Sequence, residues 1–345
     1  MFTIGILDRI TIPDLEERIL NSIGKIICFN ANNEWELPNE IANLDAVIVY
    51  NKITLTKITI NKLLNCKVIV KAGVGYDNID IFAAGNSGIP VINVPDYGTN
   101  DVADHTFALF LSYIKKIGFY NNALQKDFVQ YWKPGNGRKV HRLSELTFGI
   151  IGMGRIGTAV AMRAKAFGMN VVYYDPYLPD GYDKAYQVQE FKFLEQLVEN
   201  SNVITIHVPL DRSTEKMINY SLLQNAKYKP IVINTARGKL VDTEDIYVSL
   251  KENIIEAYLT DVFESEPPTY NTELLLQFSQ EDGVFQDRII ITPHSASHTY
   301  EARKEMREKA AISVKMFIQE NKMKNCVNYH ILQGNNNYEY KNNRL

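Results

Sequence analysis

Phe148-Gly-Ile-Ile-Gly-Met-Gly-Arg-Ile-Gly157 opens with an apolar run, Phe148 to Ile151, and continues with glycines at 152, 154 and 157 in the spacing GxGxxG. Beyond them Ile156, Ala159, Val160, Ala164 and Phe167 recur at helical intervals, so the stretch reads as buried strand, tight turn and helix. Gly152 lets the turn close, Gly154 leaves room for backbone to approach a phosphate, and Gly157 lets helix and strand pack closely. The helix start offers unpaired N–H groups and a positive dipole end to an anion. A glycine turn in an ordinary α/β core would show the same spacing. It would not explain the next strand, Asn170-Val-Val-Tyr-Tyr-Asp175, which ends in a carboxylate where such folds grip an adenosine ribose. Together the two features point to a dinucleotide site, and Asp175 favours NAD over NADP because its charge repels a 2′-phosphate.

At 345 residues the chain is long enough for two domains. Apolar residues make up 46% and charged residues 22%, the balance of a soluble globular protein. A net charge of −3 gives no pull toward nucleic acid or an acidic membrane. The three cysteines (Cys28, Cys66, Cys326) form neither a metal pattern nor a disulfide framework, which fits a reducing compartment. Met1 to Asp8 reads as a first strand rather than a signal peptide. No apolar run approaches the roughly 18 residues needed to span a bilayer. The expectation is a cytoplasmic protein without metal, nucleic-acid or membrane partners.

On the N-terminal side, strand candidates 2–7, 25–29, 45–50, 67–71 and 90–93 alternate with amphipathic stretches such as 14–22, which predicts a small parallel sheet with helices on both faces. The turn Lys71 to Asp80, with two glycines, follows the fourth strand at the carboxyl end where open α/β sheets place ligands. A long helix is expected from Asp101 to about Gln125, capped by Thr99 or Asn100, carrying the chain between domains. Trp132 to Arg138 reads as a polar loop. From residue 146 onward six strands are expected, at 148–151, 171–174, 203–208, 231–234, 256–261 and 289–292, the number of a complete dinucleotide-binding sheet. A charged amphipathic helix from Tyr300 to about Asn321 and an Asn-rich, loosely ordered tail from Gly334 end the chain.

Polar groups stand just past each of the last three strands. Arg237 follows the fourth, Glu264 and Glu266 the fifth, and His294 the sixth. Arginine suits a bidentate grip on a carboxylate, and a histidine beside a carboxylate is the usual proton donor near neutral pH. Taken singly, each is more often a surface residue. Their joint placement at one sheet edge points instead to hydride transfer to the carbonyl of a 2-oxo acid, with Arg237 as anchor and His294 protonating the nascent alkoxide.

These stretches resemble the D-isomer-specific 2-hydroxyacid dehydrogenase family from about residue 45 to 328. The likeness rests on Ala72-Gly-Val-Gly-Tyr-Asp-Asn-Ile-Asp80, Asn93-Val-Pro-Asp-Tyr-Gly98, the glycine fingerprint, Thr235-Ala-Arg-Gly238, Glu266-Pro267 and Pro293-His294. It implies an α/β architecture in which a Rossmann dinucleotide-binding domain (99–298) is inserted in a discontinuous flavodoxin-like substrate domain (1–98 and 299–345), with the active site in the cleft. It implies Arg237 as carboxylate anchor, Glu266 as partner of the histidine and His294 as acid/base. NAD contacts are implied at Gly152, Gly154, Arg155, Ile156, Gly157, Asp175, His207, Pro209, Thr235, Ala236, Arg237 and Asp261. Val74 and Gly75, with Arg237, would hold the substrate, a small 2-oxo or 2-hydroxy acid, and a homodimer would form through the cofactor domains. Within the family the nearest branch resembles the C-terminal binding proteins and their bacterial enzyme relatives, through motifs such as Tyr174-Asp-Pro-Tyr-Leu178, Glu264-Ser-Glu-Pro267 and Asn325-Cys-Val-Asn328.

The chain departs from the family on the substrate side. Ser295-Ala-Ser297 replaces the common Ile-Gly-Ser, Ser297 stands where the corepressor branch has tryptophan, and Gly98 replaces a frequent serine. Glu266 stands where formate-oxidising relatives carry glutamine, which disfavours formate. Two further readings remain on the same scaffold: an NAD-gated, partner-recruiting dimer like the eukaryotic corepressors, and oxidation of 3-phosphoglycerate or phosphite. The phosphoglycerate reading wants basic residues near the 71–80 turn, where Lys52 and Lys71 are the candidates.

Overall fold

The apolar runs of the sequence form two separate parallel sheets, one in each of two compact units: residues 1–98 with 298–345, and residues 99–297. The structure, a computed structural model, describes residues 1–8, 10, 12–133, 140–269, 272–279, 285 and 287–334. The expected loop 132–138 and the tail from 334 fall almost entirely outside the described residues.

In the first unit, strands β1 (Phe2–Asp8), β2 (Gly24–Ala31), β3 (Ala46–Val49), β4 (Val68–Lys71) and β5 (Val91–Asn93) pair in the order β2-β1-β3-β4-β5, every pair parallel. This is the flavodoxin-like order. A parallel sheet is covered on both faces, so its strands read as near-continuous apolar runs. Leu7, Val47, Val49, Ile69 and Val91 face one core, and Ile4, Ile6, Ile48, Val68, Val70 and Ile92 face the other. The second core is completed from the far end of the chain by Met306, Ala310, Ala311 and Val314 of the Tyr300–Glu320 helix. Arg307 on that helix pairs with Glu16 at 2.6 Å and Asp14 at 3.0 Å. Asn328 closes the return. Fully buried, it accepts from Val91 N and donates to the carbonyls of Ile81 and Ile89.

In the second unit, β6 (Thr147–Ile151), β7 (Asn170–Tyr174), β8 (Gln189–Glu190), β9 (Val203–Ile206), β10 (Ile231–Asn234), β11 (Ala257–Thr260) and β12 (Ile289–Ile291) form one parallel sheet in the order β12-β11-β10-β9-β6-β7-β8. Strand order reverses between β6 and β9, which places the ligand crevice at their carboxyl ends. Among the described residues seven strands replace the expected six. The additional β8 has two residues, Gln and Glu, and no apolar run could announce it.

The long helix expected from Asp101 to Gln125 is two helices, Thr99–Ile114 and Ile117–Lys126. The first seats Ala103, Phe107, Phe110 and Tyr113 in the core, where Phe107 stacks on Phe148 with centroids 5.5 Å apart. The apolar stripe then loses its core: the second helix has no buried residue, and the chain turns at Lys116, whose φ of 56° is left-handed. Thr99 and Asn100, expected as caps, are the first two residues inside the helix.

Candidate active site

The glycine turn takes the conformation its residues require. Gly152 has φ +86°, a region that penalises any side chain, and a Cβ there would lie 2.7 Å from Val208 and 2.8 Å from the carbonyl oxygen of His207. A Cβ on Gly157 would lie 2.1 Å from the carbonyl oxygen of Gly152, so the helix–strand approach is closed to alanine. Gly154 caps the Arg155–Ala166 helix, and no side chain among the described residues bonds its first-turn amides. Those N–H groups suit a pyrophosphate. Asp175, at the end of β7, folds its carboxylate over the same turn, accepting from Met153 N at 3.0 Å and Tyr177 N at 3.1 Å. A carboxylate accepts at about four positions, which leaves room for ribose hydroxyls. Arg155 is exposed and Ile156 half-buried at the helix start.

His207 follows β9, and its amide donates to Ile151 O beside the glycine turn. Its Nε2 meets Thr205 Oγ1 at 2.9 Å, while Nδ1 is buried with no partner among the described residues. Burial alone pushes its pKa down from 6.5 to about 3, so the ring is neutral at working pH. Stability follows from the sign of that shift. The unfolded chain binds a proton that the folded ring refuses, so stability is complete above pH 6.5 and falls between 6.5 and 3. The loss from this group should be about 2 kcal/mol on going from pH 7 to pH 5. Denaturant unfolding of His207→Gln at the two pH values should show that much less acid sensitivity than the parent; equal sensitivity would contradict the assignment.

At the end of β10, Asn234 shapes the turn that carries Arg237. Its Oδ1 accepts from Ala236 N, and its Nδ2 donates to Arg237 O. Gly238 then packs against the next strand's loop so tightly that a Cβ would fall 1.8 Å from the Phe263 carbonyl carbon. The glycine after the arginine thus joins the Arg237 turn to the segment bearing Glu266. Thr235 is buried, with its hydroxyl 3.0 Å from that of Thr106; Ala236 is half-buried and Pro209 exposed.

His294 and Glu266 are brought together: Nδ1 meets Oε2 at 2.5 Å, and Glu266 Oε1 accepts from Phe263 N. The ring keeps 43% of its side chain exposed. Burial opposes the charge on Glu266, but the hydrogen bond and charge of His294, the Phe263 amide and the positive charge of Arg237 outweigh it and hold the carboxyl below its ordinary range. Arg237 therefore acts on the Glu266 carboxylate. Glu264 does not join them; it accepts from Thr243 N and Oγ1 at the start of the Thr243–Lys251 helix. His294 itself has φ +50°, a left-handed backbone that costs a non-glycine residue about 1–2 kcal/mol.

Asp261, a cofactor contact by the family resemblance, is wholly buried and works first as a clamp. It accepts from Thr292 Oγ1, Ser295 N and Ala296 N, and its own carbonyl accepts from His294 N. Sequence reading missed Thr292, Thr106 and His105, each of which has a partner more than a hundred residues away along the chain. The substrate candidates Val74 and Gly75 belong to the first unit, beyond β4, where Asn93 Nδ2 holds Val74 O at 2.6 Å. Lys71 is turned inward there, 1% exposed, donating to Tyr50 O and Asn51 Oδ1. No cluster suited to a metal ion occurs among the described residues.

A doubly wound sheet with a glycine turn at its switch point, an acid at the end of the next strand and an Arg, Glu and His past the adjoining strands defines a nicotinamide-dinucleotide-binding protein. Residues 107–296 match the D-isomer specific 2-hydroxyacid dehydrogenase, NAD binding domain. The chain is 35% identical over 311 residues to the D-3-phosphoglycerate dehydrogenase of Methanocaldococcus jannaschii, covering 90% of this chain and 57% of that one. It thus spans a little over half the length of the curated relatives it matches. Among solved structures it resembles the D-lactate dehydrogenase of Aquifex aeolicus in complex with NAD and lactic acid (TM-score 0.79, 28% identity, 96% of this chain and 98% of that one). It also resembles an NADPH-dependent glyoxylate/hydroxypyruvate reductase of Sinorhizobium meliloti in complex with citrate (TM-score 0.82, 25% identity, 95% and 98%). The chain belongs to the D-isomer-specific 2-hydroxyacid dehydrogenase family. These matches reach the family without singling out the branch of the C-terminal binding proteins.

Proposed function

We propose that the protein is an NAD-dependent D-2-hydroxyacid dehydrogenase working mainly as a 2-oxoacid reductase. The observation that carries this reading is the His294–Glu266 pair at 2.5 Å with Arg237 acting on the same carboxylate. When bound, the reduced nicotinamide supplies the hydride. Arg237 grips the carboxylate of the 2-oxo acid and fixes its C2. With Nδ1 engaged by Glu266, Nε2–H of His294 is the proton donor to the carbonyl oxygen as negative charge develops there. In the reverse direction the same nitrogen takes the proton from the hydroxyl. The cofactor would lie on Gly152, Gly154, Arg155, Ile156 and Gly157, with Asp175 at the ribose and His207, Pro209, Thr235, Ala236 and Asp261 toward the nicotinamide. Asp175 supports NAD over NADP. Val74 and Gly75 would offer backbone N–H groups to the substrate carboxylate.

A homodimer through the cofactor domain is part of this reading. Beyond the Thr99–Ile114 helix, Phe128 and Trp132, with ring centroids 4.9 Å apart, and the intervening Val129 are 62%, 65% and 85% exposed, apolar surface that a second copy would cover. The protein is read as cytoplasmic; no helix among the described residues is long and apolar enough to cross a membrane.

A second reading, 3-phosphoglycerate oxidation, is favoured by two curated relatives of that name, at 35% and 32% identity. Against it, the ammonium of Lys71 is committed inward. NADH oxidation against 2-oxo acids graded by size, with 3-phosphohydroxypyruvate among them and NADPH as the alternative donor, separates the two. Turnover of one unphosphorylated size class with NADH supports the first reading. Turnover confined to the phosphorylated acid supports the second, and no turnover with tight NADH binding turns the case to the partner-recruiting alternative.

A further inference from the structure

We infer that His105, on the Thr99–Ile114 helix, is a positioning residue for His294, acting through Thr292 and Asp261. The inference rests on the proposed role of His294 as acid/base.

Thr292 Oγ1 lies 2.5 Å from Asp261 Oδ1 and 2.9 Å from His105 Nε2. A hydroxyl has a single hydrogen, and an ionised carboxylate only accepts, so the threonine proton goes to Asp261. His105 must then donate from Nε2 to the remaining lone pair of Thr292. This fixes the histidine with a proton on Nε2 and directs the threonine hydroxyl at the carboxylate. His105 Nε2 also stands 3.6 Å from Asp261 Oδ1, close enough to act directly on a carboxylate whose side chain is 0% exposed.

Asp261 is the point through which this reaches the chemistry. Its Oδ1 receives Ser295 N at 2.9 Å, its Oδ2 receives Ala296 N at 2.8 Å, and its carbonyl receives His294 N at 2.8 Å. Three consecutive amides starting at the acid/base residue therefore hang on one aspartate. Since His294 is held at φ +50°, its backbone relaxes once the clamp loosens, and a ring displaced by an ångström loses its line to the substrate oxygen. His105 completes the hydrogen bonding of Thr292, the half-buried side chain that links the clamp to the Thr99–Ile114 helix.

The bland alternative is that His105 merely fastens its helix to the sheet, as Tyr113 does through Glu256. The test compares His105→Leu, His105→Gln and Tyr113→Phe by turnover and by amide hydrogen exchange at Ser295 and Ala296. His105→Leu should lower kcat by about tenfold to 10²-fold, leave KM for the oxo acid near the parent's, and speed exchange at both amides. His105→Gln, whose amide nitrogen can take the place of Nε2, should restore both readouts; Tyr113→Phe should match the parent. If His105→Leu does not fold, His105→Asn, whose amide falls short of Thr292, takes its place against His105→Gln. Parent-like exchange and kcat in His105→Leu, or an equal loss in Tyr113→Phe, overturns the inference. Absence of turnover in the parent would instead strike at the role of His294, and the exchange comparison alone would then decide whether His105 holds the clamp.

Discussion

His294→Ala should lower kcat for the best 2-oxo acid by about 10²- to 10⁴-fold, the range spanned by a positioned general acid, while NADH still binds. The structure gives two reasons to expect a loss confined to chemistry. The ring projects from a loop whose backbone is held by Asp261 rather than by the imidazole itself. Among the described residues its side chain bonds Glu266, which remains bonded to Phe263 N when the ring is gone. Glu266 loses the hydrogen bond and charge that offset its burial, so its carboxyl should rise toward or above the ordinary range. The variant's remaining activity should therefore lose the pH dependence of the pair. Stopped-flow absorbance at the NADH band and fluorescence titration of the cofactor check the two halves separately. A kcat within a few fold of the parent would remove His294 from the mechanism.

Arg237→Ala should act on the other parameter. Removing a charged two-pronged donor from a carboxylate costs about 1.5–3 kcal/mol per hydrogen bond. KM for 2-oxo acids should therefore rise by about 10²-fold or more. Arg237→Lys should recover only part of this, because an ammonium lacks the planar fork. The local fold should survive: Asn234 builds the turn by bonding the backbone of Ala236 and Arg237, and Gly238 packs by having no side chain. Arg237 also helps hold Glu266 ionised, so its loss should move the acid limb of the kcat profile to higher pH. Steady-state kinetics across pH 5 to 8 reads both effects. An unchanged KM would sink the anchor assignment.

How much of this was legible from residues alone depends on the distance between partners. The glycine cradle was legible because strand, turn and helix are contiguous, and the clashes at Gly152 and Gly157 involve neighbours within that unit or at its adjoining strand. The Arg237, Glu266 and His294 positions were legible because strands announce their own ends. The clamp was not. His105 and Thr292 are 187 residues apart, and Thr106 and Thr235 are 129 apart; no spacing rule connects a helix side chain to a strand end across that separation. Glu264 and Glu266 illustrate the same limit at close range. Both follow β11, and only the folded loop sends one to Thr243 and the other to His294. The break at Lys116 was hidden because its stripe stays apolar through Ile117, and periodicity does not report that the core has ended. β8 was hidden because a two-residue polar strand carries no periodicity.

In the proposed reaction a hydride passes between nicotinamide and C2 of a D-2-hydroxy or 2-oxo acid. The most direct measurement is to run the reduction with NADH carrying deuterium at both C4 positions of the nicotinamide and to analyse the hydroxy acid formed by mass spectrometry and chiral chromatography. The expected result is a product of D configuration with one deuterium at C2, whose formation depends on His294. A product without deuterium, or of L configuration, would contradict the mechanism built here on Arg237, Glu266 and His294.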